Sequence, residues 1–380
     1  MAEKSEVHVL KGYSSNPDEK AAILELYETI FQPDAAITVI FASSTYNLSN
    51  LGLFIKEYFG EKVIGCTTAG EITPDGYKNG TVSGFSISGT FEAEPILINQ
   101  LDELTSEHID RITRMITDSA LRAKKNGYSA FGILLIDGLS MMEEYLTTML
   151  SHGLADIPFA GGSAGDDNRF ENTYVYYKGT FGKNAAIYCL CTTNIPFKPF
   201  KTQHFISTER RMVITRANPE NRLVYEINGN LAAEEYAKQL GLSRNELSFS
   251  HFSKYPLLLR FGEQNYIRSI QKINPDGSMK FFCGIEEGLV LRLAARSDIV
   301  DNLKYSFYRC CGPDFKTILT IGFDCIHRKM EIDECGKQHE IEDILKQYNT
   351  IGFCTYGEQF NSIHVNQTFT GVLLGNFHDR

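Results

Sequence analysis

The chain has 380 residues, 43% of them hydrophobic and 22% charged, which describes a folded globular protein with room for two domains or one composite one. Its net charge of −10, with no basic run, excludes a nucleic-acid surface, because phosphate binding needs clustered Lys and Arg. The polar stretch 1–16 does not read as a signal peptide, and the longest apolar runs, 35–42 and 131–136, are too short to span a bilayer. Nine cysteines sit mostly in apolar runs, a pattern that suits buried, reduced thiols in a cytoplasm.

In chain order, residues 1–34 form an N-terminal extension. A strand over 37–42, a helix over 50–59 and a strand over 62–66 then lead into a polar loop at Thr68, Gly70 and Glu71. The same sequence of elements returns as a strand at 131–136, a helix at 142–152 and a strand at 158–162, before Ser163, Gly165 and Asp166. It returns again as 317–323, 341–348 and 350–354, before Thr355, Gly357 and Glu358. Ile64, Gly65, Thr68, Gly70, Glu71, Asn79, Thr81 and Gly84 recur without a gap as Ile351, Gly352, Thr355, Gly357, Glu358, Asn366, Thr368 and Gly371. The second copy is weaker, and matching residue types places Ser163 with Thr68, Gly165 with Gly70 and Asp166 with Glu71.

Strand–helix–strand units of this length make parallel pairs with right-handed crossovers. A further strand follows each loop, at 81–88, 183–192 and 368–374, so the fold class is α/β with mixed sheets built from repeated units in two lobes. Between copies two and three the pattern changes. A short strand at 213–215, a helix at 231–240 and a hairpin of 266–273 with 279–285 turning at Asn274–Gly277 precede a strand at 289–295. A boundary near Arg222 divides a domain over 35–222 from one over 223–376.

Ligands in open α/β sheets settle beyond the carboxyl ends of the strands, where these loops lie. Gly70, Gly165 and Gly357 allow close backbone approach, Thr68, Ser163 and Thr355 offer hydroxyls, and Glu71, Asp166 and Glu358 offer carboxylates suited to an ammonium group. The bland alternative is that these side chains satisfy loop amides. Arg169 and Arg268 could each clamp a carboxylate. His364 stands where the first copy has Tyr77, so the scaffold does not require it. Its imidazole is a candidate haem iron ligand, with His204 second; without a Cys-x-x-Cys-His motif any haem b is non-covalent. Gly161–Gly165 matches a G-x-S-x-G elbow formally, which makes a hydrolase using Ser163 or Cys354 a rival. Cys325, His327, Cys335 and His339 form a string of zinc-ligand types at an unusual spacing.

Taken together, the motifs resemble the FIST N-terminal and C-terminal domains over roughly residues 35–375. The resemblance is carried by Val63–Ile72 and Phe159–Asp167 with Arg169 and Phe170 in the first half. It continues through Tyr225–Gly229, Tyr266–Ile270, Glu287–Leu291, Gly322–Cys325 and Ile351–Phe360 with His364–Gly371. It implies a non-enzymatic, cytoplasmic sensor of small ligands such as amino acids. Some stand-alone proteins of this kind bind haem, sense nitric oxide and regulate a histidine kinase. The expected ligand set is Thr68, Gly70, Glu71, Ser163, Gly165, Asp166, Arg169, Arg268, Thr355, Gly357, Glu358 and Asn366, and the expected output acts in trans on such a kinase.

Overall fold

The mostly apolar runs at 37–42, 131–136 and 317–323 become the middle strands of three sheets, Ile37–Ser43, Ser129–Ile136 and Phe315–Cys325. Burial on both faces is what such runs require. The structure, a computed structural model, describes residues 6–377 apart from Ala155 and Glu263.

Each sheet has six strands and the same plan. The first holds His8–Ser14, Val82–Ser88, Ile37–Ser43 and Val63–Thr68, in that order. The second holds Phe91–Asn99, Ala185–Thr193, Ser129–Ile136 and Phe159–Ser163. The third holds Phe197–Thr202, Phe369–Phe377, Phe315–Cys325 and Thr350–Thr355. Within each, the last two strands are parallel and the other pairs antiparallel.

Every sheet is completed by a hairpin lent from another copy. The first copy's hairpin, Glu71–Thr73 with Gly76–Lys78, joins the third sheet, and the third copy's, Glu358–Phe360 with Ile363–Val365, joins the second. The second copy's, Val175–Tyr177 with Thr180–Gly182, joins the first, closing a ring of exchange. The three sheets surround one apolar core to which Phe41, Ile133, Phe323 and Phe353 all contribute. Phe41 and Phe353 meet with ring centroids 5.0 Å apart.

The pairing corrects the repeat register of the second copy. Gly65, Gly161 and Gly352 lie opposite Ile40, Leu134 and Gly322 in the three parallel ladders. A Cβ on them would stand 2.1, 2.2 and 1.7 Å from those residues' carbonyl oxygens. Ser163 therefore corresponds to Thr67 and Cys354, one residue away from the match by residue type. Residue types misled because the second copy carries a longer loop before its hairpin.

Between Phe197–Thr202 and the helix Ile299–Cys311 the chain leaves the ring. Residues 205–296 build an eight-stranded antiparallel sheet around the helix Ala232–Leu240, with Met212, Tyr236, Phe281 and Leu291 in a core of its own. The boundary expected near Arg222 falls in the turn between two paired strands of this lobe, Phe205–Asn218 and Leu223–Ile227. The expected hairpin is split: Gln264–Arg268 pairs with Leu257–Phe261, and only Ile270–Ile273 pairs with Met279–Phe281.

Candidate functional site

The three polar loops meet at the centre of the ring. Ala69 N donates to Cys354 O at 3.0 Å, Gly165 N to Thr67 O at 3.0 Å, and Tyr356 N to Ser163 O at 3.2 Å. Their carboxylates turn inward. Glu71 accepts from the Thr68 hydroxyl, and from Thr81 N at 3.2 Å and Thr81 Oγ1 at 2.6 Å. Glu358 repeats this with Thr355 Oγ1 at 2.5 Å, Thr368 N at 3.1 Å and Thr368 Oγ1 at 2.7 Å. Burial pushes both carboxyls up to about 8, so both are largely neutral at pH 7. Asp166 accepts from the amides of Phe170, Glu171 and Asn172 and from the Tyr356 hydroxyl. In the second copy Asp137 does the work of the hairpin glutamate, taking Thr173 Oγ1 and Asn184 N at 2.6 Å.

Beyond the carboxyl end of each central strand lies a crevice whose outer wall is the lent hairpin. The hairpin residue facing it is Phe181, His364 or Tyr77, one per crevice, each paired opposite the residue that meets Gly65, Gly161 or Gly352. The three have diverged. The first is an open cavity of about 590 Å³ lined by Ser44, Asn47, Arg169, Asn172 and Phe181 among others. Arg169 is braced there by Asp166 O at 3.1 Å and Ser44 Oγ at 2.5 Å. The third is filled by its own side chains: Tyr77 Oη donates to Asp324 at 2.5 Å, and Arg328 Nε donates to Asp324 at 2.7 Å. Arg328 also touches His204 Nδ1 at 3.1 Å, and His204 Nε2 meets Glu331 at 3.0 Å.

The second crevice is roofed by the inserted lobe. Arg222 reaches across to Glu143 at 2.5 Å while donating within its own lobe to Phe282 O at 2.9 Å, and Gly284 N donates to Glu144 at 2.7 Å. Both glutamates open the helix Glu143–Gly153. Beneath the roof, buried polar atoms lack partners: His364 Nε2, both amide atoms of Asn366, Ser269 Oγ, and Nε and Nη1 of Arg268. Such atoms are rare in folded proteins and mark a place where water or a ligand belongs. His364 Nε2 and Asn366 Nδ2 lie 2.8 and 3.3 Å from the point where a Cβ on Gly357 would stand, so both hang over that glycine. Burial, with Arg222 and Arg268 nearby, outweighs the opposing pull of the Phe282 backbone, pushing His364 down to about 3 and keeping it neutral.

Of the expected site residues, Arg268, Gly357, His364, Asn366 and Ser163 gather here, with Gln359 donating to Ser163 Oγ at 2.9 Å. Thr68, Glu71, Thr355, Glu358 and Asp166 bond within the loops. Gly70 lies under the Asn79 side chain, Gly165 packs on Thr68 and Ala69, and Arg169 serves a different crevice. Sequence reading missed Glu143, Arg222, Gln359 and Phe282; the adjacent acids at a predicted helix start were the available signal.

An axial haem ligand needs a bare ring nitrogen. Gln359 Nε2, which also donates to Ser163 Oγ and lies 3.5 Å from the Gly357 carbonyl, approaches His364 Nδ1 at 3.2 Å; with the amide so oriented Nδ1 accepts and the ring proton sits on Nε2. The residues as arranged do not fit that role. His204 has both ring nitrogens engaged. Cys325, His327, Cys335 and His339 gather into no metal-binding group among the described residues. Ser163 is followed by a loop rather than the helix an elbow requires, and burial pushes the Cys354 thiol well up.

Among the described residues no helix is long and apolar enough to cross a membrane. The FIST N domain model matches residues 36–230 and the FIST C domain model residues 232–361. An uncharacterised protein of Methanocaldococcus jannaschii is 24% identical over 371 residues, covering 83% of this chain and 68% of that protein. The chain belongs to the FIST family, whose domains sense small ligands in signal transduction.

Proposed function

We propose that the protein is a non-enzymatic sensor whose ligand occupies the roofed crevice between the hairpin 358–365 and the inserted lobe. The observation that carries this is a set of buried polar atoms without hydrogen bonds, His364 Nε2 and the Asn366 amide, held over Gly357 beside Arg268. Ligand binding changes how the lobe seats on Glu143 and Glu144, and a separate cytoplasmic partner, such as a histidine kinase, reads that change. The engaged Ser163 hydroxyl and the protonated Cys354 support a binding role over hydrolysis.

The test is a thermal-shift screen of small metabolites of every charge class on the full chain and its Asn366→Ala variant. A ligand that stabilises the parent and loses its effect in the variant supports the reading. A screen in which nothing discriminates the two proteins overturns it. Expression with ample haem supplies the rival outcome: a colourless protein is expected. A Soret band lost in His364→Ala would establish a haem-based nitric oxide sensor instead.

A further inference from the structure

Arg268 stands apart from its neighbours. Arg222 pairs with Glu143, Arg328 with Asp324, Arg296 with Glu331 and Arg292 with Glu209. Arg268 has no carboxylate within ion-pair distance among the described residues; it bonds the Cys283 thiol, which burial keeps neutral, while its Nε and Nη1 are cut off from solvent without a hydrogen bond. A partly desolvated guanidinium without an anion carries a cost, which is lifted when an anion arrives. Its strand, Gln264–Arg268, packs against the hairpin strand Ile363–Val365 that carries His364.

The nearby acids are already engaged. Glu143 is held by Arg222 at 2.5 Å and Glu144 by the Gly284 amide at 2.7 Å, both in the latch between lobe and ring. The unpartnered donors are Nε and Nη1 of Arg268, His364 Nε2, the Asn366 amide nitrogen and the Ser269 hydroxyl. The unpartnered acceptors beside them are the Asn366 and Gln359 carbonyls, both uncharged, so the site's one charged group without a charged partner is Arg268.

Resting on the sensor reading above, we propose that the ligand is a small carboxylate without an ammonium group. Arg268 pairs with the carboxylate, while His364 and Asn366 bond its remaining oxygens. A charged ammonium finds no free carboxylate to receive it, so α-amino acids are discriminated against. Glu71, Asp166 and Glu358, the acids that favoured an amino acid from sequence, are all bonded inside the loops.

Calorimetry on the full chain tests this with acetate, pyruvate and succinate, their amides, the amino acids alanine and aspartate, and inorganic phosphate. At least one carboxylate is expected to bind, with its amide and matching amino acid weaker by about tenfold or more, and Arg268→Met is expected to abolish binding. Because the variant removes a partly buried charge that has no anionic partner, its melting temperature without ligand should equal or exceed the parent's. That separates loss of recognition from loss of folding. Preference for an amino acid, an amide or phosphate, with dependence on Asn366, overturns the carboxylate class while the sensor reading stands. Arg268→Met melting below the parent and still binding overturns it too. Absence of binding by every compound in this set and in the wider screen removes both readings.

Discussion

Glu71 pairs with Phe353 in an antiparallel ladder, joining the first copy of the repeat to the last. A fragment cut at residue 230, the end of the FIST N match, loses the strand that receives its own hairpin at 71–78. It also loses the hairpin 358–365 that covers Phe159–Ser163. The expected outcome is a fragment that aggregates or shows no cooperative melt, while the chain from 6 to 377 melts cooperatively. Calorimetry of the two, side by side, checks this; a cooperative, monomeric fragment would contradict the exchange of hairpins.

The twin buried acids make a pH prediction. Glu71 and Glu358 are raised to about 8 from an ordinary 4.5, so they favour the fold while neutral. Their contribution is complete below 4.5 and is lost as pH rises through 8, at most ~1.4 kcal/mol per unit per group. Urea unfolding across that window should show falling stability, and the double variant Glu71→Gln/Glu358→Gln should flatten the slope. An unchanged slope would mean other groups carry it.

Gly65, Gly161 and Gly352 admit no side chain, since a Cβ would enter a neighbouring carbonyl oxygen. Alanine at any one of them should cost about 3 kcal/mol through backbone displacement, read as a lower urea midpoint. Alanine at Gly182, which nothing approaches within 4 Å, is the control and should move it little.

The ionic filling of the third crevice is predicted to behave as a unit. Arg328→Met leaves Asp324 buried and unpaired, at a cost of about 3–5 kcal/mol in melting experiments. Adding Asp324→Asn should recover part of that loss, because the orphaned charge goes with it.

Gly357→Ala drives a methyl to within 2.3 Å of His364 Cε1. The single variant should be destabilised by about 1–3 kcal/mol, and Gly357→Ala/His364→Ala should regain most of it. Purely additive effects in this cycle would show that the ring does not rest on the glycine.

The strand–helix–strand units were legible because runs such as 37–42 and 350–354 are mostly apolar on both faces and give way to polar residues, Ser43 and Thr355. Elements with softer patterns escaped, among them the leading strands His8–Ser14 and Phe91–Asn99 at the sheet edges. His364 stood out as a departure from Tyr77, and it does face a crevice. What it does there depended on Gln359 and on the inserted lobe, which no local pattern reveals. The acids Glu71 and Glu358 looked available to a ligand; only the positions of Thr81 and Thr368, ten residues on, show them engaged. The exchange of hairpins was invisible, since a lent hairpin carries the same sequence as a kept one.

The ring of exchanged hairpins also governs how the chain comes to exist. Synthesis delivers the hairpin at 71–78 long before Thr350–Thr355, the strand it completes. Until the last strands leave the ribosome, the first two sheets hold an unpaired hairpin and an uncovered strand edge. Assembly is therefore a late, all-at-once event, and during translation this protein is a natural client for chaperones that shield sheet edges.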